Sequence, residues 1–141
     1  MKRHYKILIL VLLTHVTSVL ANGDAVYGKI LYESRCNGCH SLDVNRVGPA
    51  HRGVFGRYAG DVQGYDYSDA IKNSNVVWTT KNLDRWLNNP EALIPGQKIG
   101  YSMSDAKDRA DVIAYLMTVK DTQDSIIQNR SFIKNSSLIN K

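Results

Sequence analysis

Cys36-Asn37-Gly38-Cys39-His40 is a C-x-x-C-H pentapeptide, and its two cysteines are the only ones in the 141-residue chain. Two thiols three positions apart on one turn of chain can reach the two vinyl groups of a porphyrin. The histidine that follows then points its imidazole at the iron. This is the attachment pattern of a c-type haem. Three other chemistries use paired cysteines. A thioredoxin-like redox pair sits in a βαβ setting, and no segment here alternates long enough to make a strand. A structural zinc site needs about four ligands, and the chain has no second cysteine pair. A disulfide between Cys36 and Cys39 suits an exported protein, but it accounts for neither His40 nor the loop-rich body. The pentapeptide implies one covalent haem c, with iron held by His40.

Upstream of the pentapeptide, Asp24 is an N-cap ahead of a helical stretch that starts at Ala25 and ends near Ser34 and Arg35, delivering Cys36. The first six residues carry Lys2, Arg3 and Lys6. An apolar run from Ile7 to Leu13 follows, and then a V-x-A ending at Ala21. A basic start, a short apolar run and small residues at the end read as a secretory signal peptide over residues 1–21. The apolar run is short for a bilayer span, and His15 interrupts its continuation. Cleavage after Ala21 places the mature chain in the periplasm with no membrane insertion; an uncleaved N-terminal anchor is the alternative. The formal net charge is +5, from 18 basic and 13 acidic side chains. Without the three basic residues of the signal, 15 basic face 13 acidic, a net +2. With no basic run either, nucleic-acid binding is excluded as a function class.

Downstream, residues 41–67 are rich in Gly and turn residues and carry no regular pattern. Residues 68–73 allow one or two helical turns. Thr80 is the expected cap of a helix over 81–88, with Leu83, Trp86 and Leu87 on one side, and Pro90 stops it. Ser104 is the expected cap of a last helix from Asp105 to about Lys120. Ala106, Ala110, Ile113, Ala114 and Met117 recur there at helical spacing, which assigns Met117 to the packed face. Residues 121–141 are polar and patternless and read as a tail. The chain is therefore expected to be all-α, with one folded domain over 22–120. Its short helices and long loops need a large apolar group to wrap, because structureless loops of this length otherwise count against a compact domain.

From Gly23 to Lys120 the chain resembles the class I cytochromes c, bacterial relatives of the mitochondrial electron carrier. Beyond the pentapeptide, the resemblance rests on further stretches. Gly28-Lys29-Ile30-Leu31-Tyr32 is similar to the family's first helix, whose glycine and aromatic pack on the last helix. Arg46-Val47-Gly48-Pro49 is similar to the stretch whose proline carbonyl accepts a hydrogen bond from the ligating histidine. Gly53-Val54-Phe55-Gly56-Arg57 is similar to the loop that carries an arginine toward a haem propionate. Tyr67-Ser68-Asp69-Ala70 and Trp78 match the tyrosine and tryptophan that also bond propionates. Asn88-Asn89-Pro90 and Ile94-Pro95-Gly96-Gln97-Lys98 match the approach to the second axial ligand, and residues 109–116 match the last helix. The resemblance implies the class I cytochrome c fold and a cofactor site of Cys36, Cys39, His40, Pro49, Arg57, Tyr67 and Trp78. A buried propionate needs such donors, because an unpaired charge is costly to bury.

The chain departs from the family at one decisive position. The family's methionine ligand follows the Pro-Gly-x-Lys run, and here that position is Ile99. Met103, four residues on, is the candidate for the second iron ligand beside His40. The alternatives are Lys98, a water-held or open position, and His51, which otherwise fills a slot near the haem edge. Ile71 is a second departure that makes the pocket drier. The resemblance implies an electron-transfer cytochrome, a monomer and not an enzyme. Its expected partners are an oxidase, a quinol–cytochrome reductase or a periplasmic dehydrogenase of a respiratory chain. Lys29, Lys72, Lys81, Lys98 and Lys107 are candidates for a positive docking rim, or are simply solvated. Two further readings follow from Ile99 and from the tail: a haem protein that binds NO, CO or peroxide, and a docked subunit of a redox enzyme.

Overall fold

The computed structural model describes residues 23–121; the expected signal peptide and all but the first residue of the expected tail lie outside the described residues. Five helices follow in order: α1 Ala25–Arg35, α2 Asp69–Lys72, α3 Thr80–Asn88, α4 Pro90–Leu93 and α5 Ala106–Thr118. Among the described residues the only β pairing is an isolated antiparallel bridge between Tyr58 and Val77, so the fold is all-α as expected.

Each helix starts on a side-chain cap. The Asp24 carboxylate accepts from Val26 N at 2.8 Å and Tyr27 N at 3.2 Å, satisfying N–H groups that have no partner within the helix. Two starts lie one residue from their expected places. Thr79, not Thr80, caps α3 by accepting from Asn82 N. Asp105, not Ser104, caps α5 by accepting from Asp108 N at 2.8 Å. In both cases adjacent residues are each able to cap, and packing selects between them. Pro90 does end α3, but it also opens α4 at the first helical position, with Asn89 as cap. Proline lacks an N–H that this position does not use.

The α1–α5 crossing is the centre of the fold. A Cβ on Gly28 would lie 1.9 Å from the Asp111 carbonyl oxygen, so only glycine permits this approach. Tyr32 packs against Tyr115 with ring centroids 5.3 Å apart and planes tilted by 53°. On α5 the buried face is Arg109, Val112, Ile113 and Leu116, with Asp111 beside it. Met117 is not on that face: it is 43% exposed. It follows Leu116 by one residue, about 100° around the helix, which turns it out of the crossing. The Asp111 side chain is only 1% exposed. Its carboxylate accepts from Asp24 N at 2.7 Å and from Lys107 Nζ at 2.6 Å, which ties the start of α1 to α5.

Burial alone raises the Asp111 carboxyl, but the Lys107 hydrogen bond, the Asp24 N–H and the Lys107 charge outweigh it and hold the group below the usual carboxylate range. A depressed folded-state value adds stability above the unfolded value of about 4 and loses it as pH falls through the folded value. Asp111→Asn should cost about 1.5–3 kcal/mol at neutral pH, the scale of a charged hydrogen bond. In urea denaturation across a pH series, the gap between the two proteins should close below about pH 4. A gap that persists unchanged into strong acid would refute this role.

Candidate functional site

α1 ends where the pentapeptide begins. Cys36 is its C-cap, donating its N–H to Tyr32 O. Cys39 N and His40 N both donate to Cys36 O, at 3.1 and 2.9 Å, so the pentapeptide coils as one further turn. The following loop folds back onto it. Gly48 N donates to Cys39 O at 2.9 Å, and Arg46 Nη1 donates to Asn37 O at 2.9 Å. A Cβ on Gly48 would lie 2.1 Å from the His40 ring, so glycine lets the backbone lie against the imidazole.

His40 Nδ1 lies 2.9 Å from Pro49 O. A carbonyl oxygen only accepts, so Nδ1 carries the proton and Nε2 keeps its lone pair. Burial lowers the pKa of His40, the Pro49 bond partly opposing it. The ring is thus prepared as a neutral nitrogen donor, oriented and made more electron-rich by the carbonyl behind it. His51 stacks on it, with centroids 4.0 Å apart and planes 21° apart. Burial, then the His40 and Arg57 neighbours, push His51 down to about 3, so it is neutral at physiological pH.

Cys36, Cys39, His40, Pro49, Arg57, Tyr67 and Trp78 all line one cavity of about 510 Å³. That volume is in the range of small-molecule and cofactor sites. Arg57 and Trp78 are clipped together, Trp78 N donating to Arg57 O at 2.9 Å and Gly56 N to Trp78 O at 3.0 Å. The Arg57 guanidinium donates to Ala50 O and Arg52 O, while its Nε is buried without a hydrogen-bond partner among the described residues. Burial lowers its pKa, Tyr67 and the nearby acids opposing. A haem fits this wall: a propionate oxygen is the acceptor that a buried Arg Nε lacks. The thiols also fit. Burial pushes Cys36 up to about 11, which leaves it protonated and unlike the low-pKa thiolate of a redox-active cysteine pair. Cys39 is exposed, so one edge of the cavity reaches the surface.

The sequence match extends over the same ground. The Cytochrome c family matches residues 25–120. The chain is 49% identical to cytochrome c of Euglena viridis over 102 residues, covering 70% of this chain and all of that protein. This chain belongs to the cytochrome c family. It is also 44% identical to cytochrome c2 of Rhodopila globiformis, over 70% of this chain and 95% of that one. The solved structure of cytochrome cH from Methylobacterium extorquens superposes with a TM-score of 0.65 at 41% identity, covering 68% of this chain and 99% of that one. The cytochrome is of class I, carries a haem c with its iron, and functions in electron transfer.

One expected site residue does not join the others. Met103 does not line the cavity; Lys98, Ile99, Gly100 and Tyr101 do. Met103 is 2% exposed within the apolar core. Its N–H donates to Leu87 O at 2.7 Å, and its carbonyl accepts from Arg109 Nη1 at 2.9 Å. The cavity also has walls that a motif reading passes over. Tyr65 lines it and donates to Val47 O at 2.6 Å. Its spacing of two from Tyr67 is a usable signal, because alternate residues of an extended segment share a face. Leu83, Trp86 and Leu87 of α3 line it at helical spacing.

Gly48→Ala should displace the His40 ring and strain its bond to Pro49. We expect a loss of about 1–3 kcal/mol, the range for overpacking, with an altered Soret circular dichroism in the haem-loaded protein. An alanine variant with unchanged stability and spectrum would contradict this placement.

Proposed function

We propose that this cytochrome carries single electrons between redox proteins of a respiratory chain in the periplasm, after export and cleavage following Ala21. Cys36 and Cys39 would hold the haem through thioether bonds, each thiol adding S–H across one vinyl group. His40 would bind the iron, and Arg57, Tyr67 and Trp78 would hold the propionates. The haem supplies one-electron exchange between ferric and ferrous iron. One observation carries the reading: His40 is oriented by Pro49 and kept neutral by burial, in a wall that it shares with both cysteines, one of them exposed. An exposed edge gives a partner a short path to the cofactor.

The partners are proposed to be a membrane oxidase, a quinol–cytochrome reductase or a periplasmic dehydrogenase, met by a monomer in weak, charge-steered encounters. The positive rim narrows to two of its five lysines. Lys29 pairs with Glu33, Lys72 with Asp66 and Lys107 with Asp111. Lys81 and Lys98 are exposed and form no ion pair among the described residues, and Lys98 lines the cavity. In this role the protein exchanges electrons without catalytic turnover of a substrate. The working domain is proposed to span residues 22–120. No helix among the described residues is long and apolar enough to cross a membrane.

Cys36→Ala combined with Cys39→Ala should abolish haem that survives acid–acetone extraction, read as a haem-stained band. Persistence of that band would overturn the attachment. Intact mass of the protein from a periplasmic fraction should give an N-terminus at Asn22. A mass that retains residues 1–21 would favour the anchored form.

A further inference from the structure

We infer that the segment around Ile99 leaves one coordination position of the haem iron to a small uncharged ligand of the class of carbon monoxide, nitric oxide or an alkyl isocyanide. The inference rests on the haem reading above and adds a binding site to an electron-transfer protein.

Among the described side chains that share the cavity with His40 and carry an atom able to bind iron, there is no methionine. To bring Met103 in, the protein would break its N–H bond to Leu87 O and strip the carbonyl from Arg109. It would also pull a side chain that is 2% exposed out of the core. Arg109 reinforces this hold: it also donates to Ser104 O at 2.7 Å and to the Asp84 carboxylate at 2.7 Å, so the residues before α5 are tied to α3.

The remaining donors are committed elsewhere. His51 stacks at 4.0 Å on His40, which puts the two rings on the same side of the cavity. Tyr65 donates its hydroxyl to Val47 O, and Asp66 is paired with Lys72 at 2.9 Å. Tyr67 is kept protonated, burial raising its pKa against a hydrogen bond from the Val62 backbone. A phenol binds iron well only as the anion. Tyr101 and Lys98 are exposed at the mouth. Among the described residues Lys98 is the one competing donor, and it has to shed both its proton and its water to bind.

The chemistry of the wall sets the ligand class. Ile71, Trp86, Leu87 and Ile99 give it apolar surface, with Ile71 6% exposed. An anion pays the cost of desolvation there, and a neutral diatomic does not. Ligation forms one dative bond to iron, with nothing oxidised or reduced in the case of carbon monoxide.

The test uses the purified haem-loaded protein. Haem content is first measured by the pyridine haemochrome, so a failure of the haem reading shows there and not in the ligand titration. The wild-type ferric spectrum should lack the far-red methionine-to-iron charge-transfer band. The ferrous protein should take up carbon monoxide with a saturable Soret shift. Met103→Leu, a swap of similar volume, and Lys98→Ala should leave both results unchanged. Ile99→Met should gain the band and weaken carbon monoxide binding by about tenfold or more, because the competent state becomes a minor one. Three results overturn the inference. The first is a methionine band in wild type that Met103→Leu removes. The second is a six-coordinate wild type that binds carbon monoxide only after Lys98→Ala. The third is no uptake by wild type or by either of those two variants. If Ile99→Met fails to fold, these two variants still decide the question.

Discussion

Gly28 carries no side chain at the point where α1 crosses α5, and the backbones there are closer than any Cβ allows. That contact sets the geometry of everything after it in α1. Tyr32, one turn further on, meets Tyr115, and Asp111 of α5 accepts from the N–H of Asp24, the cap of α1. With both ends of the crossing held, the C-cap of α1 emerges at one place, and the C-cap is Cys36. The haem-binding turn therefore inherits its position from a glycine eight residues earlier. Interiors are packed too densely for such a crossing to slide without cost.

The proximal wall continues the same logic with weaker parts. Residues 41–67 contain no helix, yet they are placed by hydrogen bonds to the turn they follow and to their own first residues: Gly48 to Cys39, His51 to Ser41 and Arg52 to Leu42. These bonds bring the Pro49 carbonyl behind His40 and lay His51 across its ring. The electrostatics agree with a nitrogen donor at every step. Burial disfavours the charged imidazole, and the carbonyl selects the tautomer that leaves Nε2 available. Arg57 reaches the same cavity through a backbone pairing with Trp78, far from it in sequence. A long loop without a helix is held because its polar groups are satisfied one by one, many of them within the loop itself.

Much of this was legible in the residues. Asp24, Ser68 and Pro90 mark helix boundaries through local chemistry, since a cap needs only its own backbone nearby. The shifts at Thr79 and Asp105 show the limit of that reading: two adjacent residues are each able to cap, and packing decides. Met117 shows another limit. Its spacing joins it to Ile113 and Ala114, but the face buried in the fold is centred on Arg109, Val112, Ile113 and Leu116. A buried arginine breaks any hydrophobic pattern. Arg109 is 8% exposed because Asp84, Met103 and Ser104 supply its acceptors from outside α5.

The sequence by itself determined the cofactor chemistry and the helices, because both are written over short spans. C-x-x-C-H needs five residues, a cap needs four, and the family likeness runs through residues contiguous with them. What lies around the iron opposite to that logic is long-range. Ile99 and Met103 sit four residues apart in one loop, and nothing local tells which of them faces the cavity. The tertiary structure decided it through Leu87 of α3, which accepts the Met103 N–H, and Arg109 of α5, which holds the Met103 carbonyl. With its backbone tied to two helices, Met103 packs in the core, and Ile99 is the residue left in the wall.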